Sequence, residues 1–103
     1  MPRLRYTPRA VRDLRSILQY VTRESGSIDV GSAFVARLRA RCKELAILPG
    51  QMGRPRFELL PDLRSFAFRS YIIFFRYRDD VFEIIAIIEG HRDVERHFPH
   101  DDG

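Results

Sequence analysis

The chain has one cysteine, Cys42, so no disulfide can form within it. That pattern suits a reducing compartment. No apolar run approaches the roughly 20 residues of a membrane span. The opening MPRLRYTPRA lacks the apolar core of a secretory signal. A cytoplasmic protein with no membrane partner is therefore expected. There is no phosphate-cradling glycine loop, since the glycines are scattered and no G-x-x-x-x-G-K occurs. Repeats, linkers and low-complexity segments are also lacking. Lysine is nearly absent: of 18 basic residues only Lys43 is lysine, and the rest are arginine. With a net charge of +4, this composition suits bidentate contact with phosphates or carboxylates. Most individual arginines are nonetheless expected on ordinary solvated surface.

What is present fits one domain over residues 1–103, with 94–103 a flexible polar tail. Leu4 and Tyr6 alternate with Arg3 and Arg5 as a short strand. Thr7-Pro8 is a cap followed by proline at the first helical position. Val11, Leu14, Ile17, Leu18 and Val21 then mark a buried helical stripe, ending near Glu24-Ser25-Gly26. A second helix is predicted from Ser27 or Asp29 to about Ile47, with Phe34, Leu38, Cys42 and Leu45 inward and Pro49-Gly50 as its stop. Gln51 to Asp62 is loop, with a strand expected at Phe57-Glu58-Leu59. Leu63 to Phe68 is a strand with Phe66 and Phe68 on one face.

Ser70 to Glu89 forms a hairpin about Arg78-Asp79-Asp80. Strict alternation places Ile72 and Phe74 opposite Ile73 and Phe75, and Ile84, Ala86 and Ile88 opposite Ile85 and Ile87. Both faces are apolar, whereas a sheet with one wet face alternates apolar and polar. One helical hairpin covers one face, so a protein partner is expected on the other. The expected fold is α+β, a two-layer β-α-α-β-β-β domain with the helix hairpin on one face of an antiparallel sheet and the first strand at its edge.

The order and spacing of several pieces resemble the ParE branch of the RelE/ParE toxins, the toxin halves of bacterial type II toxin–antitoxin modules. The pieces are Tyr6-Thr7-Pro8-Arg9-Ala10, Asp13-Leu14, Ala33-Phe34 with Arg37-Leu38, and Cys42 with Leu45-Ala46 and Pro49. They continue through Met52-Gly53-Arg54-Pro55-Arg56, Glu58-Leu59, Leu63-Arg64-Ser65-Phe66, Ser70-Tyr71, Phe74-Phe75-Arg76 and Gly90-His91-Arg92-Asp93. The resemblance implies a binding-type poison of DNA gyrase, without enzymatic activity or cofactor of its own. It also implies a cognate antitoxin with a ribbon-helix-helix DNA-binding start, through which alone DNA would be reached. Antitoxin contacts are expected at Phe66, Phe68, Arg69, Tyr71 and Phe75, and target contacts at His91, Arg92 and Asp93.

Two other outcomes remain open. RelE-like relatives cut messenger RNA on the ribosome, and Arg64, Arg76 and His91 are the residues that would serve such a nuclease. RNA cleavage through the 2′-hydroxyl needs a base, an acid and cations on the phosphate. Against that, pairing of Arg64 and Arg76 with Asp62, Glu83 or Glu58 on adjacent strands is the favoured reading, and no catalytic residue is assigned. The third outcome is a non-toxic remnant that only binds an antitoxin. His91, His97 and His100 with Asp101 and Asp102 match no metal-ligand spacing, so no metal is expected. Cys42, on an apolar stripe, is expected to be a buried, inert thiol.

Overall fold

The computed structural model describes residues 3–48 and 51–90. Thr7 converts the first strand into the first helix. Its backbone is extended (φ −68°, ψ 161°), and its hydroxyl accepts from Ala10 N at 3.1 Å. It thereby separates β1 (Arg3–Tyr6) from α1 (Pro8–Ser25), with Pro8 where a missing N–H costs nothing. Gly26, left-handed at φ 73°, closes α1 by donating to Thr22 O. Ser27 then accepts from Val30 N and starts α2 (Ile28–Ile47). The remaining elements are β2 (Arg54–Pro55), β3 (Arg64–Phe68), β4 (Tyr71–Arg78) and β5 (Val81–Glu89).

The sheet order is β1-β5-β4-β3-β2. Strands β2 to β5 are antiparallel, but β1 joins β5 in parallel, so the sheet is mixed. The cause is topological. The chain leaves β1, crosses the sheet as a helical hairpin, and fills the far side before β5 returns beside β1 in the same direction. The α+β layering and the edge position of β1 match the expectation from sequence. The short strand of the 51–62 segment does not: Phe57-Glu58-Leu59 is a turn, and Arg54–Pro55 pairs with β3 instead. Pro55 fits there because an outer strand needs no second N–H partner.

Ala10, Leu14 and Ile17 of α1 and Leu38, Cys42 and Leu45 of α2 pack on Tyr71, Ile73, Phe75, Phe82, Ile84 and Ile87 of the sheet. Val11, expected on this stripe, is 43% exposed, and Ala10 takes its place. Phe75, Phe82 and Tyr77 form the aromatic centre, with Phe75 and Phe82 ring centroids 4.8 Å apart.

The opposite face carries a second core. Leu59 and Leu63, from the loop between β2 and β3, close over Phe74, Ala86 and Ile88, and Phe74 is 0% exposed. A partner is therefore not needed to bury this face; the chain's own loop does so. Burying each such side chain stabilises by about 1.5–3 kcal/mol.

Strict alternation along β5 also fails. Phe74 lies opposite Ala86 while Phe75 lies opposite Ile84, so Ile85 is an extra residue in a β-bulge. The insertion puts Ile84 and Ile87 under the helices, and Ile85, Ala86 and Ile88 on the other face. Thr7 ties the bulge down by donating its N–H to Ile84 O at 3.0 Å and its hydroxyl to Ile85 O at 2.8 Å. Past the end of β1, Asp13 takes over as partner for the edge of β5, accepting from Ile87 N at 2.9 Å. Among the described residues, no helix is long and apolar enough to cross a membrane.

Candidate functional site

Two of the three nuclease candidates, Arg64 and Arg76, lie on opposite faces of the sheet. Arg64 lies opposite Phe75, and so on the helix-covered face. Its Nε donates to Met52 O at 2.8 Å and its Nη2 to Gly53 O at 3.0 Å, clamping the loop that leads into β2. Tyr77 assists through its hydroxyl, which accepts from Met52 N at 2.9 Å. Arg76 lies on the opposite face, where its Nε donates to Glu83 Oε1 at 2.9 Å across the strand pair. Glu83 for Arg76 is one of the partners foreseen from sequence, whereas Arg64 takes backbone carbonyls rather than a carboxylate. Two guanidinium groups on opposite faces of one sheet cannot neutralise the same phosphate. His91 lies outside the described residues, as do Arg92, Asp93 and the whole 94–103 tail.

The antitoxin-contact residues divide differently. Phe75 is 0% exposed, sealed under the helices, and has no surface to offer a partner. Phe66 and Phe68 are half-buried on the helix side of β3. Phe34 of α2 meets Phe68 and Tyr71 edge-on, at centroid separations of 6.0 and 5.8 Å. The Arg41 guanidinium lies over Phe66 and Phe68, at 5.4 and 5.7 Å from the ring centroids. These contacts line the α2–β3 seam, or groove, with partly buried aromatic rings packed beneath a cation. Beside it the outer edge of β3 is open: among the described residues, the ladder with β2 stops at Ser65. Arg69, exposed in the turn after β3, adopts φ 56°. Tyr71 is nearly buried and also lines a cleft of about 320 Å³ between α1 and the end of β5, with Asp13, Tyr20, Ile87 and Glu89.

Phe34 and Arg41 were not singled out for this groove from sequence. Phe34 looks like core by its period, and Arg41 looks like solvated surface. The two are seven residues apart and so share a helix face, and the packing of α2 on the sheet brings that face over β3.

Cys42 is fully buried beside Tyr6, and burial pushes its thiol up to about 11. Burial also raises the Tyr6 phenol above its ordinary range, while Arg39 lies over its ring at 5.1 Å. A thiol of this kind is expected to react with iodoacetamide at pH 8 more than about a hundredfold more slowly than in urea-unfolded chain. Equal rates would show that Cys42 is accessible and ionised. On the surface, Arg56 holds the Glu58 carboxyl below its usual range through a 2.8 Å hydrogen bond. Among the described residues, no three His, Cys, Asp or Glu side chains cluster as a metal site.

Comparison with known proteins bears on the fold and the family. A search of curated proteins finds no match. A solved structure described as the chromosomal ParDE TA system from P. aeruginosa superimposes with a TM-score of 0.77 at 23% identity, covering 86% of this chain and 96% of that one. At that identity the likeness establishes the shared fold. The family model for the ParE toxin of type II toxin-antitoxin system, parDE, matches residues 4–94, from β1 through β5 and beyond. The chain thus belongs to the ParE toxin family of type II toxin–antitoxin systems.

Proposed function

We propose that this chain is a toxin acting by binding rather than by catalysis, that it poisons DNA gyrase, and that an antitoxin laid in the α2–β3 groove neutralises it. The observation that carries the binding reading is the separation of Arg64 and Arg76 onto opposite faces, each engaged internally. A nuclease centre needs its cations converging on one phosphate. The groove supports the antitoxin reading: aromatic rings and arginine are the side chains that most often anchor interfaces, and the open edge of β3 can accept an added strand. The partner expected there is a cognate antitoxin with a ribbon-helix-helix DNA-binding start. Target contact is assigned to His91, Arg92 and Asp93, and the site of action to the cytoplasm.

The test is direct. Purified chain is added to gyrase, ATP and supercoiled plasmid, and trapped double-strand breaks are counted after denaturation. Breaks that rise with dose and vanish with antitoxin are expected. Folded protein that yields none removes gyrase as the target.

A further inference from the structure

The face of the sheet away from the helices carries further arginines around the Arg76–Glu83 pair. Arg5 and Arg76 flank Glu83 in one row across β1, β5 and β4, with Nε to carboxylate separations of 3.9 and 2.9 Å. One row further along, Arg3 and Arg78 flank Val81 in the same way. Residues two apart on a strand share a face, so all four arginines project on this side. They form a rectangle about two strand spacings wide, roughly 10 Å, and two residues long, roughly 7 Å. Arg3, Arg5 and Arg78 are exposed, and Arg76 is half-buried. Among the described residues, Glu83 is the carboxylate in strand register between Arg5 and Arg76, and it is shared between them. Asp79 and Asp80 lie beyond its short end, in the turn, where Asp80 O accepts from Arg3 N and fixes the start of β1.

We propose that this helix-free face, through the exposed Arg3, Arg5 and Arg78, holds the phosphodiester backbone of duplex DNA, while Arg76 neutralises Glu83 between them. Guanidinium forks on a rigid sheet suit successive phosphates, because their positions are set by strand spacing rather than by flexible stems. A duplex fits better than a single strand. Single-strand sites stack bases on exposed rings, whereas Phe74, an aromatic ring of this face, is 0% exposed beneath Leu59 and Leu63. Guanidinium groups meet phosphates whatever the base sequence, so binding is independent of sequence and electrostatic in origin. This contact is direct, in contrast to the expectation that DNA is reached only through the antitoxin. It does not depend on gyrase, since it is measured with DNA alone.

The experiment uses the full chain and a labelled 20-base-pair duplex of arbitrary sequence, followed by fluorescence anisotropy between 50 and 200 mM salt. Three net phosphate contacts give a slope of log K against log salt near −2.7, or a loss of about 40-fold over that range. The R3Q/R78Q variant should reduce the slope by about 1.8 and leave binding weak even at low salt. Because both side chains are exposed, the fold is retained. R12Q/R15Q removes the same charge from the exposed side of α1 and should change the slope by less than about 0.5. Equal effects of the two variants would reduce the result to net charge and overturn the assignment. An unchanged slope in R3Q/R78Q would also overturn it, as would tighter binding to single-stranded DNA or to duplex RNA of the same length.

Discussion

Replacing Gly53 by alanine is expected to lower the melting temperature by roughly 12–24 °C, the equivalent of about 3 kcal/mol in a domain of this size. Two costs combine. Gly53 has φ 80°, where a side chain costs about 1–2 kcal/mol. A Cβ there would also lie 2.6 Å from both Phe75 Cζ and Ser65 O. Neither neighbour can retreat, because Phe75 is packed against Phe82 and Ser65 O belongs to a strand. The resulting overlap adds about 1–3 kcal/mol. Gly26 supplies the control. It has φ 73°, yet nothing lies within 4 Å of its would-be Cβ. Gly26→Ala should therefore cost only about 1–2 kcal/mol. Thermal melts of both variants separate the collision from the backbone strain. A Gly53→Ala melt no lower than that of Gly26→Ala would show that the loop is free to move off Phe75.

Truncating Phe66 and Phe68 together is expected to weaken antitoxin binding by more than a hundredfold, about 3 kcal/mol, by titration calorimetry with the antitoxin's C-terminal segment. Both rings are half-buried in the free chain, so the double alanine variant keeps the central core of Phe75 and Phe82 and loses mainly the floor of the groove. Phe75→Ala should behave differently. It removes a fully buried ring and costs about 3–5 kcal/mol of stability, with any loss of binding following from unfolding. Affinity of the F66A/F68A variant within threefold of the parent would move the antitoxin off this groove. The cleft beside Tyr71 at the end of β5 would then become the next surface to test.

The elements set by local chemistry were legible before the structure. Thr7-Pro8, Gly26 and Ser27 act through bonds to residues three or four positions away; the first two lie where sequence placed them, and Ser27 is one of the two starts it offered for the second helix. What escaped depends on distant chain. The bulge at Ile85 is invisible in a run of apolar residues, because period-two reading assumes an unbroken register and isoleucine suits either face. The parallel pairing of β1 follows from the route of the whole chain. Leu59 looked like part of a strand because its neighbours are apolar. It is instead the lid of the second core, a role fixed by Leu63 and Phe74 rather than by its own segment. At the groove, Phe66 and Phe68 were found by alternation, while Phe34 passed for ordinary core and Arg41 for solvated surface, because the strand their shared helix face meets is set by tertiary packing. Arg64 and Arg76 looked like a pair because they lie on adjacent strands. Parity decides the matter: one lies opposite Phe75 on the core side, and the other faces Glu83 on the far side.

The lid made by Leu59 and Leu63 has a consequence for lifetimes. A fold that borrows half of its core from a partner becomes a protease substrate as soon as the partner is destroyed, because cleavage draws on the population of opened chain. Here both sides of the sheet are sealed by the polypeptide itself. On the docking proposed above, loss of the antitoxin would expose a few rings and leave the ladder and both cores closed. The two members of such a pair would then be cleared on different clocks, this chain being expected to outlast its companion.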